Sequence, residues 1–139
     1  MMANDWRQLF SEYPILQSSI ICQDITSNLE GQKTFHNELL KIPQKGIKQF
    51  ILVQIWRGNN TNQDSFYEVI DLVGPDGEIL SHTASPAFKM FGPSYRHYNY
   101  FAYNKFTFPK KGTYEFISKL YQEKSKDNPL TNENYLIVV

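Results

Sequence analysis

Phe66-Tyr67-Glu68-Val69-Ile70-Asp71-Leu72-Val73 runs into Gly74-Pro75-Asp76-Gly77 and leaves through Glu78-Ile79-Leu80. The runs on either side of the turn are rich in aromatic and β-branched residues, which favour extended backbone. Pro75 presets φ at the second turn position, and Gly77 accepts a left-handed conformation at little cost. A second cassette repeats the pattern: Phe106-Thr107-Phe108, then Pro109-Lys110-Lys111-Gly112, then Thr113-Tyr114-Glu115-Phe116-Ile117. Two extended runs around a tight Pro/Gly turn predict an antiparallel hairpin in each case, and with it an all-β chain.

The same pattern extends outward. Residues 15 to 25 alternate in parts, Asn28-Leu29-Glu30-Gly31 makes a turn, and residues 32 to 42 supply a partner strand. After the turn Pro43-Gln44-Lys45-Gly46 comes the strongest strand, Lys48 to Arg57, with Ile51, Val53 and Ile55 on one face and Phe50, Leu52 and Trp56 on the other. Two apolar faces suit a central strand of a packed sandwich. The polar segment Gly58 to Asp64 reads as a surface hairpin loop. Residues 65 to 73 and 78 to 84 are strands, Ser85 to Pro93 is irregular, and Tyr98 to Phe108, Gly112 to Tyr121 and Tyr135 to Val139 add three more. About eight strands with closely spaced turns predict an antiparallel β-sandwich. At the start, Asp5 caps a short N-terminal helix with Gln8 at the capping-box position, Trp6, Leu9 and Phe10 share one face, and Pro14 ends it. The predicted organisation is a helical segment over 1–14 and a single β-sandwich domain over 15–139.

At 139 residues, 41% of them apolar, the chain is large enough for one core without a metal or disulfide staple. The formal charge is zero, which disfavours a globally basic nucleic-acid binder. Cys22 is the only cysteine, so no internal disulfide forms. No signal-peptide pattern and no apolar run long enough for a spanning helix are visible, so the expected location is cytoplasmic, without a membrane partner.

Three segments carry a resemblance: Ser19-Ile20-Ile21-Cys22-Gln23-Asp24, Val69 through Glu78, and Phe106 through Phe116. Together they resemble a set of small uncharacterised bacterial proteins. In these, a short strand with a Cys-x-Asp element leads into an immunoglobulin-like sandwich with two such hairpins. The resemblance covers roughly residues 16 to 139. It implies an immunoglobulin-like β-sandwich and transfers no activity, cofactor or catalytic residue.

Chemistry-bearing motifs are sparse. Cys22 with a histidine base would suit a hydrolase, yet it lies among Ile20, Ile21 and Ile25, where a cysteine acts as a small hydrophobe and a thiolate is disfavoured. His36, His82 and His97 lack metal-site spacing. Asp71 and Asp76 offer too few oxygens for calcium, and Asp76 reads as a turn former. No phosphate-loop, nucleophile-elbow or zincin motif occurs. The expectation is a non-enzymatic protein with no cofactor and no metal.

The most unusual stretch is 79 to 114. It contains no Asp or Glu, but holds Lys89, Arg96, Lys105, Lys110 and Lys111, His82 and His97, and the rings of Phe88, Phe91, Tyr95, Tyr98, Tyr100, Phe101 and Tyr103. Alternation from residue 95 sets Tyr95, His97, Asn99, Phe101 and Tyr103 on one face and Arg96, Tyr98, Tyr100, Ala102 and Asn104 on the other. Neither face is purely apolar, so some rings are expected at the surface. The leading expectation is a protein-interaction or self-association module whose contact is the Tyr95–Tyr103 segment or an edge strand. The alternative is a small-ligand, carbohydrate or anion site within 88–111, with Tyr95, Arg96, His97, Tyr98, Tyr100 and Tyr103 as its candidate residues.

Overall fold

The computed structural model describes residues 13–58 and 64–139. They form nine strands: β1 (Ile15–Ser27), β2 (Lys33–Glu38), β3 (Gln49–Arg57), β4 (Ser65–Val73), β5 (Ile79–Ala84), β6 (Phe88–Lys89), β7 (Arg96–Asn104), β8 (Thr113–Gln122) and β9 (Thr131–Val138). The strand beyond the expected eight is β6, two residues within the segment read as irregular. The described residues contain no helix. The expected helical segment falls almost wholly on residues 1–12, outside those described.

One sheet has the order β2-β1-β3-β7; the other has the order β5-β4-β8-β9, with β6 also paired to β4. All pairings between these strands are antiparallel. In immunoglobulin-like sandwiches strands A, B, E and D share one sheet and C′, C, F and G the other. Here β1, β3 and β7 take the places of A, B and E, and β5, β4, β8 and β9 those of C′, C, F and G. No strand stands at the position of D, beyond β7, among the described residues. A further mark of this architecture is Tyr114 at the start of β8. Its hydroxyl donates to Lys110 O (2.6 Å) and accepts from Lys110 N (3.2 Å), tying the corner before the strand to its own side chain.

Only the first cassette is a hairpin. Gly74 N–H donates to Glu78 O (2.8 Å) and Gly77 N–H to Gly74 O (3.0 Å), closing the turn between β4 and β5. The second cassette instead crosses between sheets: β7 belongs to the first and β8 to the second. Extended pairing stops at Lys105, whose φ is +55°. The chain then drops Phe106 and Phe108 into the core, where Phe108 stacks on Phe50 (6.0 Å between ring centroids) and meets Tyr114 edge-on (4.9 Å). The segment 58–64 likewise joins β3 and β4, strands of opposite sheets, so it is a crossover; its residues 59–63 lie outside those described.

Between the sheets lie two apolar clusters. The larger gathers Ile21, Phe50, Leu52, Ile70, Leu72 and Phe116 with their neighbours. The smaller holds Trp56, Phe66, Phe88, Met90 and Leu120. A third cluster, Cys22, Val53 and Ile55 with Ile20, Ile51 and Tyr98 packed on it, belongs to the opposite face of the first sheet. The register shows this: Ile20 pairs with Val53 and Tyr98 with Ile55, whereas the core residue Ile21 pairs with Leu52.

Candidate functional site

Strand alternation divides the six candidate residues. Tyr103 is 6% exposed and stacks on Phe50 in the core, ring centroids 4.9 Å apart. Burial pushes its phenol well above the ordinary tyrosine range. His97 also points inward, half-buried, with its ring flat on Phe88 at 4.1 Å. Tyr95 precedes β7 and packs on the Trp56 cluster, edge-on to Phe91 at 5.2 Å. Arg96 is exposed at the start of β7, opposite Arg57.

Arg96, Tyr98 and Tyr100 share the outer face, and of the four candidate tyrosines only Tyr98 and Tyr100 lie there. Their rings lie 6.3 Å apart at 18°, and Phe35 of β2 adds a third ring 6.4 Å from Tyr98. Lys33 Nζ sits 5.8 and 5.7 Å from the Tyr98 and Tyr100 ring centroids, within cation–π range. A shallow hollow of about 240 Å³ lies beside them, lined by Ile25, Ile51 and Ala102 together with Lys33 and Tyr100. The six residues therefore do not form one platform; two of them join β2 residues in an aromatic face flanking a sheet edge that no other described strand covers.

That edge is unusual. Natural sheets protect their edges with short strands, charges, prolines or bulges. β2 is six residues long and carries Lys33, His36 and Glu38. β5 is equally short. β9 is closed near its end, where Val138 bridges to Lys41 and Val138 O accepts from Ile42 N–H (2.9 Å). β7 runs nine residues in an unbroken register with β3, and between Arg96 and Asn104 it has no formally charged residue and no proline.

A second constellation went unseen in the sequence. Glu68 of β4 is fully buried. Its Oε1 accepts from Trp56 Nε1 and Asn99 Nδ2, both at 2.9 Å. Its Oε2 accepts from Gln54 Nε2 at 2.7 Å and from the Ser118 hydroxyl. Ser19 in turn donates to Gln54 Oε1, and His97 Nε2 lies 2.7 Å from Asn99 Oδ1. Asn99 already donates through its amide, so His97 Nε2 carries the hydrogen of that contact. The carboxylate's four acceptor positions are filled, three of them from the other sheet. This layer separates the two core clusters. Its signal in the sequence is a polar interruption at matching depth on three inward faces: Gln54 between Leu52 and Trp56, Asn99 between His97 and Phe101, and Ser118 between Phe116 and Leu120.

The remaining candidates stay apart. Cys22 is buried, and burial pushes its thiol above the ordinary value. His82 pairs with Asp71 across β4 and β5, and Asp76 pairs with Lys110. Among the described residues no three His, Cys, Asp or Glu side chains gather as a metal site would require.

No family model matches the chain, and no curated protein matches it in sequence. Among solved structures, an immunoglobulin-like protein from Pseudomonas aeruginosa aligns over 90% of this chain and 96% of its own, with 15% identity and a TM-score of 0.37. The architecture described above stands on the strand pairings alone.

Proposed function

We propose that this chain is a non-enzymatic interaction module that self-associates through the edge of β7. The observation that carries this reading is the long edge strand β7, without a formal charge from His97 to Asn104, bordering the place where a constant-type immunoglobulin sheet has strand D. An added strand gains main-chain hydrogen bonds and rests its side chains on the neighbouring face. A second copy is the natural occupant, because β7 is self-complementary. Antiparallel pairing centred on Tyr100 sets Arg96 opposite the copy's Asn104, so the two arginines do not face each other. It also places Tyr98, Tyr100 and Ala102 of both copies side by side. A two-fold interface of this kind is closed and stops at the dimer.

Light scattering across a range of concentrations tests it. A dimer is expected, and Tyr98→Ala combined with Tyr100→Ala should weaken it at least tenfold. A strict monomer at the highest attainable concentration overturns the reading. A second reading, a small ligand such as a sugar on the Tyr98–Tyr100 face, is favoured by the hollow beside those rings. It predicts a monomer whose Tyr98 and Tyr100 resonances move on titration with a neutral oligosaccharide.

A further inference from the structure

At one end of the sandwich two connections converge, the one between β2 and β3 and the one between β7 and β8. Lys41, Lys45 and Lys111 line a cleft of about 450 Å³, to which Ile42, Pro43 and Val138 contribute apolar walls. No Asp or Glu lines it. None of the ion pairs among the described residues involves these three lysines. The segments that supply them are themselves acid-free: no Asp or Glu occurs between residues 39 and 49 or between 79 and 114. Three lysines bordering one concavity give it a positive character that favours an anion.

The backbone that carries these lysines is tied down. Lys41 bridges to Val138, and Ile42 N–H donates to Val138 O at 2.9 Å. Gly46 N–H closes the turn onto Pro43 O at 2.8 Å. Gly46 has φ +82°, and a Cβ there would run into Phe106 O. Gly112, next to Lys111, exchanges two backbone hydrogen bonds with Val139, at 3.0 and 2.9 Å. The ammonium groups are mobile on their stems, but their anchor points are fixed relative to one another, which lowers the ordering cost of binding. The volume falls within the range of small-molecule sites, and a few charged groups against apolar walls is their usual composition. Lysine binds phosphate as a point charge without the planar geometry arginine demands.

We propose that the Lys41–Lys45–Lys111 cleft binds a phosphate-bearing small molecule, its phosphate among the three ammonium groups and its less polar part against Ile42, Pro43 and Val138. The site stands independently of the β7 interface. Titration of the full chain with inorganic phosphate and with pyrophosphate, followed by amide chemical shifts, tests it. The expected result is a saturable response confined to residues 41–46, 111–112 and 138–139, with pyrophosphate tighter than phosphate. Lys45→Ala with Lys111→Ala should weaken pyrophosphate at least tenfold, whereas Lys119→Ala, on β8, leaves it unchanged. Co-sedimentation with vesicles of phosphatidylcholine containing phosphatidic acid separates a lipid source from a soluble one. Binding there that depends on Lys45 and Lys111, without a pyrophosphate response, assigns the site to a lipid headgroup. Shifts that do not saturate, that spread over lysines across the surface, or that survive the double substitution overturn the site.

Discussion

The residue on which most depends is Glu68. A buried carboxylate is costly unless its acceptors are filled, and here four neutral donors fill them. Replacing it with leucine strands Trp56, Asn99, Gln54 and Ser118 together. At about 1–3 kcal/mol for each buried donor left unmet, and allowing for relaxation, Glu68→Leu should cost about 3–6 kcal/mol. Glu68→Gln is a gentler change. The glutamine oxygen can still serve Trp56 and Asn99. Its NH2 would face Gln54 and Ser118, where the Gln54 amide can flip and the hydroxyls of Ser118 and Ser19 can turn to accept, so a cost of about 1–2 kcal/mol is expected. Urea denaturation at neutral pH separates the two, and equal costs would contradict the network. His97 adds a pH dependence. Burial holds its folded pKa below the ordinary 6.5, against the raising pull of its Asn99 hydrogen bond and of Glu68. The unfolded chain therefore takes up this proton first as pH falls through about 6.5, and stability falls with it until the folded value is reached. His97→Phe, which keeps a ring against Phe88, should flatten the part of the stability profile between pH 7 and 5 that is due to this residue. The polar interruptions at Gln54, Asn99 and Ser118 mark the layer, but the buried acid at its centre was not legible, for a simple reason. Glu68 and Asp71 sit in the same β-run on opposite faces, and alternation alone does not tell which acid turns inward.

Among the elements, structure is legible in the sequence where it is local and hidden where it is not. The turn Gly74 to Gly77 closes within itself, so its residues announce it. The turn-like Pro109 to Gly112 looks the same on paper, yet it bridges two sheets, because Lys105 takes φ +55° and Phe106 and Phe108 gain more from the core than from an edge. Strand positions follow from alternation; sheet membership follows from pairings between residues far apart, such as Val53 with Tyr100. The glycines make a local test of this difference. Gly77 has φ +86° with open space where a Cβ would stand, while Gly46 has φ +82° with Phe106 O in that place. Gly77→Ala should cost only the left-handed backbone term, about 1–2 kcal/mol. Gly46→Ala should cost visibly more, since the corner after β7 must also shift. Chemical denaturation of the two variants checks the ordering, and a Gly46→Ala protein as stable as Gly77→Ala would mean that the corner is loosely packed.

For the whole molecule, the proposed pairing beside β7 would make stability a function of concentration. A chain whose folded form dimerises is stabilised by mass action, because the dimer draws on the folded population and not on the unfolded one. Above the dissociation constant each hundredfold rise in concentration adds about 1.4 kcal/mol per chain, half of RT ln 100, because one association event is shared by two copies. For a domain of this size that corresponds to roughly 5 °C in Tm. Tyr100→Lys places a charge at the centre of the proposed two-fold pairing, where the copy's own lysine would face it. The residue is 43% exposed on the outer face, so the substitution should spare the monomer. The wild-type Tm should therefore climb with concentration while that of Tyr100→Lys stays level, the two converging at high dilution. Parallel slopes would show that any association runs through another surface. A level wild-type line would return β7 to the status of a bare edge, and the face beside it to the small-ligand reading. Lys41, Lys45 and Lys111 lie outside this interface, so pyrophosphate should raise the Tm of both proteins alike.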